Sequence, residues 1–455
     1  MVRITPSVTG ISKPLYNSVK NATRSARSQP LPKSRNLPDV ADWYWQRMPD
    51  EDKKRLTSAM QVAADRQMPL RFGTLCSGTD VPVPVLKCLV AGIGRWMGIH
   101  ISMSHVFSCE SDTAKRGWII ANFPDMEYLF TDVVDVGTGW ATDALTCTRV
   151  RVPAVDILIA GFVCKSVSCE NKHRDTSSSC IDDVTGSTGI TFNGVWQYVK
   201  LMRPALVICE NVEGIVKRIG GRPPPIHAVM KSWTSIGYTS SWKLVDSRYY
   251  ALPHRRHRVW IWAFRGDARM HCVQQVPLTL DALASTHHLS LDATLTPGRG
   301  CVKVLGDQRM SGIGRRERTV VQTVWHDHPE LKGRDIIIDL KSSITRGIPF
   351  SCDSSCCILP TSKMYRVLER RLLSTRDRMS LQGIYRSDFP ALDSYLRTSG
   401  TKCLLNDLAG NAFSSTVYMA VMLACLGHTS LGASHTVQAR PAGHHVSNKR
   451  RRMST

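Results

Sequence analysis

The sequence predicts an α/β protein: a parallel sheet with helices on both faces, joined to a smaller, irregular, β-containing region. Three observations carry this. Between Leu70 and Gly266, short apolar runs alternate with stretches of helical periodicity, the pattern of strands linked by crossover helices. After Gly266 the alternation stops, and Gly, Ser, Thr and Arg are frequent up to about Leu373. Both ends are basic: Met1 to Pro38 holds seven Lys or Arg and no Asp or Glu, and Thr429 to Thr455 has no acidic residue.

Taken in order, residues 1–40 read as a disordered basic arm and 41–69 as a helical lead-in. There, Asp50 to Gln67 forms a helix with Asp50 as cap and Leu56, Met60 and Ala63 or Ala64 at helical spacing. In the main unit, 70–266, buried strands are expected at Arg71 to Cys76, His105 to Cys109, Tyr128 to Phe130, Val155 to Ala160, Ala205 to Cys209 and Arg258 to Phe264. Val81 to Ala91, Thr113 to Asn122, Asn193 to Met202 and Ile226 to Ile236 fit helices between them. Within 267–374, Thr319 to Val324 and Ile336 to Leu340 read as isolated strands, and Ser362 to Leu373 as a helix leading back to the main unit. That unit resumes over 375–428, where Asn406 to Leu426 reads as a loop followed by an apolar helix. The tail, 429–455, carries Lys449-Arg450-Arg451-Arg452, which suits a nuclear import signal or a further nucleic-acid-binding segment.

Composition narrows the function. The net charge of +22 favours a polyanionic partner through release of its counterions. No run of about 18 apolar residues argues for a membrane span, and Met1 to Gly10 has no signal-peptide stretch. A nuclear or otherwise cytoplasmic location is the expectation. The fifteen cysteines include no pair of Cys-x-x-Cys units, so no metal is expected. Cys352, Cys356 and Cys357, the tightest cluster, read as reduced thiols.

Parallel sheets bind ligands at the carboxyl ends of their strands, so polar residues there are candidates. Cys76-Ser77-Gly78-Thr79 is a tight turn into a helix, either a cofactor cradle or a plain turn. Glu110, with Ser111, and Asp132, with Val133, end the next two strands; each acid suits a nucleotide-type ligand or a helix cap. Cys164 follows the strand ending at Ala160, where Lys165 and nearby arginines would lower its pKa and expose a reactive thiolate; the alternative is a structural thiol. Glu210-Asn211-Val212 puts a carboxyl near that thiol as acid or anchor. Pro253-His254-Arg255-Arg256-His257-Arg258 reads as anion binding, support for Glu210, or a solvated basic edge.

In this order the segments resemble the cytosine-5 DNA methyltransferase family from Phe72 to about Leu426, apart from Asp267 to Ser374. Val155 to Ser168 is similar to the loop carrying Gly-Phe-Pro-Cys-Gln, and Glu210-Asn211-Val212 is the family's Glu-Asn-Val unchanged. His254 to Arg258 fits Gln-Arg-Arg-x-Arg with one change. Arg376 to Gly383 resembles Arg-Glu-x-x-x-Leu-Gln-Gly, and Gly410-Asn411-Ala412-Phe413 the Gly-Asn-Ala/Ser-Val element.

The resemblance implies a Rossmann-like S-adenosylmethionine-dependent sheet with a target-recognition domain at 267–374. It implies Cys164 as nucleophile toward C6 of a cytosine flipped out of double-stranded DNA, with Glu210 at N3 and Asn211, Arg256 and Arg258 supporting. S-adenosylmethionine would meet Cys76, Ser77, Gly78, Thr79, Glu110, Ser111, Asp132, Val133, Asn411, Ala412 and Phe413. DNA would meet Lys165, Ser168, Arg309, Arg315, Arg316 and Arg318.

The departures are specific. Val163 replaces the proline before the cysteine, which should loosen the loop, and Lys165 replaces a glutamine. His254 stands for glutamine, Cys76 for phenylalanine, Thr79-Asp80 for a glycine-containing pair, and Ser111 for apolar bulk. An inactive DNA-binding homologue and a transfer-RNA cytosine-5 methyltransferase are the rival readings. A dehydrogenase is disfavoured because no Gly-x-Gly-x-x-Gly follows the first strand.

Overall fold

A computed structural model describes residues 32, 36–66, 68–168, 180–182, 186–218, 221–268, 273–296, 313–331, 333–341 and 347–431. The sequence expectations for Arg309, for most of the basic arm and for the tail beyond Leu431 lie outside these residues.

Nine strands form the main sheet: β1 Leu70–Leu75, β2 Met103–Cys109, β3 Tyr128–Phe130, β4 Trp140–Asp143, β5 Thr148–Arg151, β6 Ile157–Ala160, β7 Leu206–Val212, β8 Tyr238–Asp246 and β9 His257–Arg265. Their order is β5-β4-β3-β2-β1-β6-β7-β9-β8. Five central strands, β3-β2-β1-β6-β7, are parallel, whereas β4, β5, β8 and β9 join through antiparallel pairings. The sheet is thus mixed, a correction to the parallel sheet read from the sequence. The order reverses at β1, with β2 on one side and β6 on the other, which opens a crevice above their carboxyl ends. This is the predicted Rossmann-like α/β architecture.

Alternation within each strand divides the core in two. Trp260, Trp262 and Phe264 enter one apolar cluster and Val259, Ile261 and Ala263 the other, as a period of two requires. Helix Ser415–Leu426 is buried at all twelve positions, so its outline is apolar all round. Among the described residues, Lys402–Leu426 is the one stretch long and apolar enough to cross a membrane; 89% of its most apolar window is buried inside the protein.

The lead-in helices, Leu37–Arg47 and Asp50–Asp65, pack into the first cluster. Pro49, not Asp50, is the cap of the second; Asp50, Glu51 and Asp52 fill its first turn, where they complement the helix dipole. Helix Gln275–Leu283 also buries Val276, Leu280 and Leu283 in the main core, so the segment after Gly266 is not uniform.

The smaller region has a four-stranded antiparallel sheet, β11-β10-β12-β13: β10 Ile336–Asp339, β11 Phe350–Cys352, β12 Met364–Arg366 and β13 Arg371–Leu372. Three sequence expectations fail nearby. Thr319 to Val324 lies within helix Arg315–Asp327, where Val320, Val321 and Val324 share the face packed on Ile336, Ile338 and Tyr365. Ser362 to Leu373 is the β12–β13 hairpin, organised by the buried Arg366, which pairs with Asp335, Asp292 and Glu369. Asn406 is helical, since Lys402–Asn411 buries Leu405, Leu408 and Ala409.

Candidate active site

A cleft of 560 Å³ lies above the carboxyl ends of the parallel strands. On one side is the turn after β1. Cys76, Gly78 and Asp80 have φ of 54°, 56° and 58°, so the turn is built from left-handed residues. A Cβ at Gly78 would meet nothing within 4 Å; glycine is needed there for backbone conformation and leaves open space above it. Ser77 fastens the turn, donating its amide to the Cys109 carbonyl at 3.0 Å while its Oγ accepts from the Cys109 amide at 3.0 Å. Glu110 accepts from the amides of Gly78 at 2.9 Å and Asp112 at 3.0 Å. Asp132 caps helix Val133–Thr138 through the Val134 amide at 2.8 Å, so it is both cap and cleft wall.

On the other side stand Cys164, Glu210 and Arg258. β9 runs antiparallel to β7, which brings its first residues beside the last residues of β7: Arg258 is in register with Val212 and Trp260 with Glu210. Arg258 Nε therefore reaches Glu210 Oε1 at 3.0 Å across the diagonal. The ion pair is not aligned as a hydrogen bond, leaving the buried Oε1 without a hydrogen-bond partner. Burial raises the Glu210 carboxyl above the usual carboxylate range, against the lowering pull of Arg258 and Arg256. Burial opposes the charge of Arg258, but Cys357, Glu210 and Cys164 outweigh it and hold the guanidinium charged.

Burial likewise pushes the Cys164 thiol up, and Glu210 adds to the rise; Arg258 and Arg256 oppose it without prevailing. This corrects the expectation of a lowered, ready-made thiolate. The solvent-poor cleft costs the thiolate more than two guanidinium groups return.

Asn211 and Arg256 are both anchored by bonds to backbone carbonyls, and Arg256 also lines the cleft. Asn211 is 1% exposed and donates to the Phe162 carbonyl at 3.1 Å, fixing the loop that carries Cys164. Arg256 donates to the carbonyls of Ile358 at 3.2 Å, Gly410 at 3.1 Å and Ala412 at 2.9 Å, joining β9 to two distant segments. His254 is fully buried, accepts from the Ile358 amide at 3.2 Å and is held neutral by burial.

Of the expected cofactor residues, Cys76, Ser77, Gly78, Thr79, Glu110, Ser111, Asp132, Val133, Asn411 and Phe413 line the cleft, as does Lys165. Ala412 does not; its carbonyl serves Arg256. Ser168 lies outside the lining, its amide donating to the Cys164 carbonyl at 2.9 Å. Arg315, Arg316 and Arg318 also lie outside it, exposed on the helix of the smaller region. The sequence reading passed over Asp80, Thr188 and Thr191. Asp80 is buried and bonded by the Ser108 hydroxyl, a contact between the turn after β1 and β2 that no local pattern announces.

Fold and site together place a thiol and a carboxyl–guanidinium pair opposite a glycine turn, in one cleft above the strand ends of an α/β sheet. Residues 91–296 match the family model of C-5 cytosine-specific DNA methylases. It is 32% identical over 260 residues to the DNA (cytosine-5-)-methyltransferase DMT5 of Cryptococcus neoformans, covering 56% of this chain and 10% of that protein. The DMT5 of Verticillium dahliae is 22% identical, over 80% of this chain and 20% of its own length. The chain thus spans a small part of these two relatives. The Type II methyltransferase M.NgoBI of Neisseria gonorrhoeae is 23% identical over 74% of this chain and 91% of its own length. Among solved structures, S. pombe Dnmt2 methyltransferase aligns with a TM-score of 0.47 and 15% identity, over 79% of this chain and 98% of that one.

Proposed function

We propose that this chain is a DNA (cytosine-5)-methyltransferase that uses S-adenosylmethionine and takes a flipped-out cytosine of double-stranded DNA. The observation that carries this reading is the sharing of one cleft by Cys164, the Glu210–Arg258 pair and the Gly78–Glu110 turn.

S-adenosylmethionine, when bound, supplies an electrophilic methyl group. The residues fit it: the turn at Gly78 is open, Glu110 keeps acceptor capacity beyond its two amide bonds, and Phe413 closes the cleft near Gly161. The protein's own part is to activate the base. Glu210, raised by burial, holds a proton at N3 of the cytosine, which makes C6 electrophilic. Cys164 gives up its thiol proton to solvent as its sulfur adds to C6, which places electron density on C5. Arg258 holds Glu210 in place and balances charge as the ring is attacked. After C5 has gained the methyl group, loss of its proton to solvent and departure of Cys164 as thiolate restore the ring. Burial and Glu210 raise the Cys164 thiol, so its proton is harder to remove than that of a free cysteine.

The test is transfer of labelled methyl to duplex DNA by the native chain and by Cys164→Ser, with transfer RNA as a parallel substrate. Label in DNA from the native chain and none from the variant is the expected result. Label only in transfer RNA would replace the substrate, and cofactor binding without transfer would favour an inactive homologue.

A further inference from the structure

The catalytic loop lacks the proline of the family pattern: Val163 precedes Cys164. A proline has no amide hydrogen and fixes φ. Valine introduces a donor and a freer backbone beside the reacting sulfur, and a donor left without an acceptor is destabilising. In this chain the donor has an acceptor. The Val163 amide donates to Thr191 Oγ1 at 3.1 Å.

Thr191 begins the second turn of helix Ser187–Met202, whose cap residue, Gly186, makes no side-chain cap bond. Its hydroxyl donates back to the Ser187 carbonyl at 2.9 Å, which orients the oxygen and leaves a lone pair for the loop. Thr188, one turn earlier on the same face, accepts the Ser166 amide at 3.1 Å. The two threonines thus grip the loop on either side of Cys164. Asn211 holds the Phe162 carbonyl from below, and the Cys164 carbonyl accepts from Val167 at 3.1 Å and Ser168 at 2.9 Å. The loosening expected from the absent proline is offset by hydroxyl groups.

We propose that Thr191 is a positioning residue for Cys164, its hydroxyl taking over from the absent proline by binding the Val163 amide, with Thr188 supporting the loop at Ser166. The proposal rests on Cys164 being the nucleophile. Thr191 also lines the cleft, so its hydroxyl fixes the loop at the wall the base would meet.

The consequence is a coupling between positions 163 and 191. Thr191→Val removes the acceptor at nearly constant shape. In the native background it leaves the Val163 amide unpaired; in the Val163→Pro background there is no amide to strand. The experiment compares native, T191V, Thr191→Ser, V163P and V163P/T191V proteins by two measurements. One is steady-state methyl transfer to duplex DNA. The other is the alkylation rate of Cys164 by iodoacetamide, read on its peptide by mass spectrometry. T191V is expected to lower kcat about tenfold with KM values within about twofold, the size of a lost amide partner. It is also expected to speed Cys164 alkylation about threefold or more, because a less restrained loop opens more often. Thr191→Ser restores both, and in the V163P background the same T191V change moves neither by more than about twofold.

Equal effects of T191V in both backgrounds, or none in either, would overturn the proposal. If T191V is insoluble, Thr191→Ala serves in its place, and insolubility of both in both backgrounds would also overturn it. Should the native chain transfer no methyl group, the functional reading fails, while the alkylation cycle still decides the coupling.

Discussion

At Asp80 the chain solves a conformational problem with a residue that creates an electrostatic one. The position has φ of 58°, in a pair, Thr79-Asp80, that stands for a glycine-containing pair of the family pattern, and aspartate is among the few other residues that enter this region at modest cost. Its side chain turns inward to the Ser108 hydroxyl, is fully buried, and has one oxygen without a hydrogen-bond partner. Burial pushes its pKa up to about 7, and Glu110 adds to the rise; bonds from Ser108 and Thr74 oppose it. The folded protein therefore keeps a proton that the unfolded chain has lost by about pH 5, and stability falls with rising pH until the folded group itself ionises near 7. Asp80→Asn removes that penalty. It should raise stability by on the order of 1–4 kcal/mol at pH 8 and leave it nearly unchanged at pH 4. Denaturant titrations at the two pH values measure the difference; an equal effect at both would refute the assignment. Residues of this kind mark the boundary of what sequence yields. Cys164 and Glu210 were legible because each follows an apolar strand, and strand ends face the cleft. The burial of Asp80, and the rise rather than fall of the Cys164 pKa, depend on neighbours from other strands.

At the scale of elements, six strands and four helices between Leu70 and Arg265 were legible from their periods, two for strands and 3.6 for helices, whereas β4, β5, β8 and helix Val133–Thr138 were passed over. The antiparallel placement of β9 was not legible either. Yet it alone puts Arg258 beside Glu210, and it turns Arg256 toward helix Lys402–Asn411. The errors cluster in the smaller region, where runs are short. Val320-Val321 reads equally as strand or helix, and only its packing on Ile336 and Ile338 decides. Arg366 fell within a predicted helix, whereas it lies buried in a strand, paired with Asp292, Asp335 and Glu369. The seam between the regions is equally tight. A Cβ at Gly410 would lie 2.2 Å from the Pro360 nitrogen, a backbone atom that has no rotamer to yield. Gly410→Ala should therefore force helix Lys402–Asn411 away from the 358–360 segment and strain the Arg256 bonds to both. Overpacking of this kind costs about 1–3 kcal/mol. The expected outcome is a lower Tm together with weaker S-adenosylmethionine binding, because Asn411 and Phe413 follow directly. A variant with native Tm and native cofactor affinity would contradict the contact.

For the whole molecule, the question is where the +22 charge acts. Seven Lys or Arg lie in the first 38 residues and five more after Leu431, with no acid in either stretch, so over half of the surplus sits outside the folded sheet. The cleft itself is balanced: Arg256, Arg258, Lys115 and Lys165 face Asp80, Glu110, Asp112, Asp132 and Glu210. In the proposed function the cleft orients a base and contributes little long-range attraction to a duplex. That task falls to the ends and to exposed groups such as Arg315 and Arg318. Each phosphate contact contributes about 0.9 to the slope of log affinity against log salt. Removing residues 1–35 and 432–455 should flatten that slope by several units and weaken DNA binding at low salt, while S-adenosylmethionine affinity stays unchanged. A truncated chain with the native slope would return the attraction to the folded region. The role left for Lys449 to Arg452 would then be nuclear import, and a fluorescent reporter carrying residues 429–455 that stays out of nuclei would remove that role as well.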